Sequence, residues 1–241
     1  IKSKKNVKYK SDFMFVHGEA EKKYYDKYIF GKKIISGNLI NNHFYKKKKL
    51  NSKKEICFIS SNSYKDDKKS ENHPDIKLIS NLHRLSRERK IDIKFLSKNS
   101  LDKKYLKKRF SFFDNFTYIS KKDISKTYSI TNNANFLVFS NTSLGREAIS
   151  KGKKGICLMY NFPSEHLSKD FLKKGPFWSD DFSYNEFEKL VDNIFKISDQ
   201  KWLKKTKFSS NQIIKYDPKN KNSIKMLKKI FKKDFERYFK F

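Results

Sequence analysis

Ser140, Asn141, Thr142 and Ser143 stand in a row behind the apolar run "NFLVF" at residues 135–139, and a helical stretch with Gly145 and Glu147 follows. A junction of this kind can hold an anion. The first N–H groups of a helix lack intrahelical partners and lie at the positive end of its dipole. Ser140, Thr142 and Ser143 add hydroxyl donors. The same residue types also serve as ordinary helix N-caps, so the junction alone fits either role. Glu147 narrows the choice. A capping box needs its acid three residues after the capping Ser or Thr, whereas Glu147 follows Ser143 by four and Thr142 by five. A spacing of four puts Ser143 and Glu147 on one helix face, where the carboxylate can accept hydrogen bonds from the hydroxyls of a sugar ring. Gly145, a poor helix former, is expected to leave the first turn open to a ligand. The competing reading makes Glu147 a solvated charge or the partner of Lys151.

Something must position this junction. Short apolar or β-branched runs alternate with helical stretches along the chain. Strands are expected at 12–16, 32–36, 55–60, 91–97, 116–120, 135–139 and 155–159, and helices at 19–29, 75–90, 101–113, 122–133 and 143–152. A Lys/Asn-rich segment at 41–54 reads as a linker or exposed loop. After Pro163 the chain turns helical, over 183–197, 199–214 and 219–240. Alternating strands and helices predict an α/β fold, a Rossmann-like parallel sheet flanked by helices, with further C-terminal helices. Ligands bind such sheets at the carboxyl ends of the strands. The loops to inspect are therefore 60–64, 97–100, 120–123 and 140–143, which bring Ser60, Ser61 and Lys98 beside the opening residues.

Composition sets the outer limits. A chain of 241 residues suits one large domain, or one domain with an appendage. It lacks a run of eighteen apolar residues, so no transmembrane helix is expected. The opening "IKSKKNVKYK" has neither a signal-peptide apolar region nor an initiator Met, and residue 1 is expected to lie within a longer natural chain. The net charge of +31 raises nucleic acid or anionic membrane as partners. Abundant Lys, Asn, Ile, Phe and Tyr with scarce Ala, Gly and Pro is also what AT-rich coding produces, and the lysines are spread along the chain. Sequence-specific nucleic-acid binding is not expected. Cys57 and Cys157 both lie in apolar runs, far apart, and read as buried free thiols. The five histidines form no metal-binding spacing, so neither a metal nor a cofactor is expected.

The run "FLVFSNTSLGREAISKGKKGICL" resembles the donor-binding segment of GT-B glycosyltransferases, and is most similar to bacterial surface-carbohydrate biosynthesis proteins. "SDFMFVHGEAEKKYYDKYIFGKKIISGN", "KKGPFWSDDFSYNEF" and "DQKWLKKT…YDPKNKNSIKML" resemble the same group in the same order. The resemblance implies two Rossmann-like domains, the C-terminal one holding a nucleotide-activated sugar. Residues 1–45 would be the end of a truncated N-terminal domain with an interdomain linker. Residues 46–241 would be the nucleotide-sugar-binding domain and its C-terminal helices. The implied activity is metal-independent transfer of a sugar to a glycan or lipid-linked acceptor in surface polysaccharide or lipopolysaccharide biosynthesis. It implies a cytoplasmic location, with peripheral contact at the anionic inner membrane. The donor site would comprise Ser60, Ser61, Lys98, Ser140, Thr142, Ser143, Gly145 and Glu147. Related families carry a Lys-x-His-Pro run after the second strand of this domain; "KFLSKN" stands here, and Lys98 would supply the charge. His17 and Glu19, after the first strand, are candidates for the catalytic or acceptor-contacting groups, with a structural role as the other reading. The alternative to an enzyme is a non-catalytic basic α/β module that binds nucleic acid or anionic membrane.

Overall fold

A computed structural model of the chain describes residues 8–44, 55–61, 73–97, 102–120, 123–159 and 174–238, with side chains through Phe231 in the last helix. Lys98 lies outside the described residues. The chain forms two compact units. Of the described residues, 8–44 and 208–238 fall in one, and 55–159 and 174–207 in the other. The sequence reading divides the chain into residues 1–45 and 46–241; the contacts group 208–238 with the N-terminal residues.

The N-terminal unit starts with a β-α-β element. Strands β1 (Tyr9–Val16) and β2 (Ile29–Ile35) are parallel, joined through helix α1 (Glu19–Tyr25). Helix α1 stops at Tyr25, and β2 starts at Ile29, within the stretch expected to remain helical. Helix α2 (Leu39–His43) falls partly in the segment read as a linker. Its start is fixed by Asn38, whose side chain accepts from the N–H groups of Ile40 and Asn41. Asn42 is fully buried: its amide donates to the Ser36 carbonyl at 2.9 Å, and its oxygen accepts from the Asp217 N–H at 3.0 Å. Asp217 in turn accepts from the N–H groups of Asn222 and Ser223, at 3.1 and 2.9 Å, where the final helix begins. Gly37 stands at φ +67°, and a Cβ there would lie 1.8 Å from the Lys215 carbonyl oxygen, so only glycine fits.

The second unit is a six-stranded, all-parallel sheet. Its strands are β3 (Glu55–Ile59), β4 (Asp92–Ser97), β5 (Thr117–Ser120), β6 (Phe136–Phe139), β7 (Gly155–Leu158) and β8 (Trp178–Ser179), in spatial order β5-β4-β3-β6-β7-β8. Helices α3 (Pro74–Arg89), α4 (Asp102–Arg109), α5 (Ile124–Asn133) and α6 (Ser143–Ser150) connect the strands. Helix α7 (Tyr184–Lys196) follows β8 and packs on α3. Helix α8 (Asp199–Ile213) contains the division between the units, and α9 (Lys221–Tyr238) ends the described chain. All residues of β3, β6 and β7 are buried, which explains why they are apolar apart from Glu55 at the start of β3: a parallel sheet is covered on both faces. Cys57 and Cys157 are buried in β3 and β7. Helix α3 buries Ile76, Leu78, Ile79, Leu82 and Leu85, the amphipathic set seen in its sequence. The order reverses between β3 and β6, and that switch point is where an open α/β sheet forms a crevice beyond its strand ends.

Candidate functional site

The carboxyl ends of β3 and β6 are tied together by a carboxylate. Asp75 sits in the first turn of α3, behind Pro74 and the capping His73, whose ring accepts from the Asp75 N–H at 3.1 Å. Its side chain is fully buried. It accepts from Ser60 Oγ at 3.1 Å, from the Ser61 N–H at 2.9 Å, from Ser61 Oγ at 3.2 Å, and from Ser140 Oγ. Ser61 Oγ and Ser140 Oγ are also 3.0 Å apart. The hydroxyls of Ser60, Ser61 and Ser140, expected at the donor site, here donate to Asp75: a carboxylate removed from water must be given donors. The reading missed Asp75, although an acid directly after His-Pro is a helix-start signal.

The β6–α6 junction forms next to this cluster. Thr142 takes the N-cap position with extended backbone, and its side chain makes no capping hydrogen bond. Its carbonyl accepts from the Arg146 N–H at 3.4 Å. Thr142 therefore caps the helix through its backbone carbonyl and not through its side chain. Ser143 is exposed and Thr142 buried. Gly145, expected to leave the first turn open to a ligand, has its missing side chain put to use in packing. It is buried against Phe139, and a Cβ there would come within 2.4 Å of the ring. Glycine lets α6 lie close on β6.

Arg146 was not picked out from the sequence. Its half-buried guanidinium donates from Nη2 to Asn141 Oδ1 at 2.5 Å. Its Nε is buried with no hydrogen-bond partner among the described residues.

Glu147 is not a solvated charge, being only 3% exposed. The Tyr128 hydroxyl, from α5, donates to Glu147 Oε2 at 2.6 Å. Burial and the adjacent carboxylate push the Tyr128 pKa well up, so the hydroxyl keeps its proton. The Lys151 ammonium lies 4.9 Å from the centre of the Tyr128 ring. Burial draws the Lys151 pKa down to about 8, with Glu147 opposing the shift. A depressed lysine is a stability statement. Between pH 8 and the ordinary lysine range the folded state binds fewer protons than the unfolded one, so stability from this group rises with pH. The stability of wild type minus that of Lys151→Met should therefore increase from pH 7.5 to pH 10 in urea titrations. A constant difference would contradict the assignment.

His17 and Glu19 belong to the N-terminal unit. His17 is exposed, its Nδ1 lies 3.0 Å from Glu21 Oε2, and its carbonyl accepts from the Lys215 N–H at 2.8 Å. Glu19 is half-buried in the first turn of α1. Burial pushes Glu21 up, but the hydrogen bonds from His17 outweigh it and leave that carboxyl below its usual range. His17 is thus engaged locally by a partner the sequence reading did not name. Among the described residues no cluster has the makings of a metal site, and no helix is long and apolar enough to cross a membrane.

With this geometry in place, comparison with known proteins identifies the family. Residues 1–231 match the family described as "putative O-antigen biosynthesis protein". The chain belongs to this family. No curated protein sequence matches it. Among solved structures, a UDP-N-acetylglucosamine 2-epimerase aligns with a TM-score of 0.55 at 12% identity, over 95% of this chain and 60% of that one. The epimerase of Methanocaldococcus jannaschii, solved with UDP-GlcNAc and UDP, aligns with a TM-score of 0.54 at 13% identity, over 91% of this chain and 61% of its own. The wall teichoic acid polymerase TagF, soaked with CDPG, aligns with a TM-score of 0.53 at 13% identity, over 94% and 57%. The likeness is one of fold: the parallel sheet is that of the Rossmann-like, GT-B-type neighbours. The chain spans about 60% of the length of the epimerases it resembles. Family membership associates the protein with surface-carbohydrate biosynthesis.

Proposed function

We propose that the protein is a GT-B-type glycosyltransferase, or its donor-binding part, which moves a sugar from a nucleotide-activated donor to a surface-glycan acceptor without a metal. The observation that carries this reading is the β6–α6 junction. It combines a switch-point location, a helix start without a side-chain cap, and a carboxylate one turn behind. The N–H groups of the first α6 turn would hold the diphosphate, with Arg146 as a nearby cation; Lys98, the cation expected from the sequence, lies outside the described residues. Glu147 would accept the ribose hydroxyls. Catalysis would come from holding donor and acceptor in place and stabilising the leaving diphosphate as its charge develops. His17 and Glu19 remain the candidates for acceptor contacts.

Two of the solved neighbours support this with their ligands, UDP-GlcNAc with UDP in one and CDPG in the other. The same reading puts the protein in the cytoplasm. There its net charge of +31 would draw it to the anionic inner leaflet, where lipid-linked acceptors are held. The test is calorimetric titration with UDP, GDP, CDP and CMP at moderate salt, with pyrophosphate as the control. At least one nucleotide should bind more tightly than pyrophosphate. If none does, the site is not a nucleotide site.

A further inference from the structure

The Tyr128–Glu147 hydrogen bond has a use beyond packing. We propose that Tyr128 is a positioning residue for Glu147, and that it sets how strongly the site prefers a donor whose ribose keeps its hydroxyls over a deoxygenated one. This rests on the nucleotide-donor reading above. A glutamate side chain has three rotatable bonds, and a carboxylate offers several lone pairs. Left alone, it would present its oxygens over a range of directions. The hydroxyl of Tyr128 removes that freedom through a charge-assisted bond of 2.6 Å, short enough to be strongly directional. The bond joins α5 to α6, so it is set by the packing of two helices and not by local chain geometry. Both side chains are buried, Tyr128 at 8% exposure and Glu147 at 3%, so water does not compete well for the carboxylate. Lys151 over the ring adds a second hold on Tyr128. A carboxylate fixed in this way discriminates ligands by their donors: a sugar that lacks the hydroxyls forgoes the charge-assisted hydrogen bonds that the positioned carboxylate would accept.

The experiment compares UDP with 2′,3′-dideoxy-UDP on wild type and Tyr128→Phe, with the GDP and CDP pairs run alongside. Phenylalanine keeps the ring beneath Lys151 and removes only the donor. Wild type should prefer the ribonucleotide by about tenfold or more. Tyr128→Phe should lose at least about threefold of that preference by weakening the ribonucleotide alone. Equal weakening of both ligands is what a purely structural role would give, and would overturn the assignment. So would a fully retained preference, although the nucleotide reading would then stand. A wild type that does not distinguish the two ligands would remove the ribose role of Glu147, and this inference with it. Should Tyr128→Phe not fold, wild-type protein labelled with ¹³C at tyrosine Cζ answers the same question. The Tyr128 signal should move with UDP and stay in place with the dideoxy analogue. Equal movement with both would overturn the proposal.

Discussion

Replacing Asp75 with alanine is expected to destabilise the sheet unit by about 3 kcal/mol, among the largest effects of any single change around the site. The buried carboxylate accepts from three serines and one backbone N–H across the β3 and β6 ends. A hydrogen bond to a charged acceptor contributes about 1.5–3 kcal/mol, and donors stranded out of water cost about 1–3 kcal/mol each. The serine hydroxyls can turn toward one another and recover part of this, since Ser61 Oγ and Ser140 Oγ are already 3.0 Å apart. Asp75→Asn keeps the shape and one carbonyl acceptor and should cost clearly less. Urea unfolding followed by tryptophan fluorescence suits the measurement, because both tryptophans, Trp178 and Trp202, are buried in this unit. An Asp75→Ala protein within about 0.5 kcal/mol of wild type would show that the cluster is not a structural tie.

The parts of the fold legible in the sequence were those governed by burial. Strands β3, β6 and β7 are covered on both faces and read as apolar runs apart from Glu55, and α3 shows its buried side as a helical period. The parts that were not legible are held by specific polar contacts. Helix α2 hides in a polar segment because Asn38 caps it and Asn42 is buried by hydrogen bonds to backbone and to Asn220. Strand β8 has two residues, too few to show any period. The grouping of residues 208–238 with the N-terminal unit depends on contacts far apart in sequence, such as Asp217 with Asn42.

The site divides in the same way. The position of the β6–α6 junction at the strand ends followed from the alternation of elements. What its side chains are bonded to did not. Nothing in a linear spacing shows that Asp75, 65 residues before Ser140, meets its hydroxyl. Nor does it show that Tyr128, 19 residues before Glu147, donates to that carboxylate. Gly145 matters for its lack of a side chain, and the space is used by Phe139.

Glu147→Gln is the most direct test of the nucleotide site. Glutamine preserves the shape and helix propensity, and its carbonyl can still accept from Tyr128. What it removes is the charge that would hold the ribose hydroxyls. Loss of a charged acceptor costs about 1.5–3 kcal/mol of binding, or roughly ten- to hundredfold in affinity. Nucleotide affinity by calorimetry and melting temperature should be measured on both proteins. The account predicts affinity weaker by at least about tenfold, at a melting temperature close to that of wild type. Unchanged affinity at an unchanged melting temperature, or a lower melting temperature with intact binding, would contradict the assignment of this junction as a nucleotide site built around Glu147.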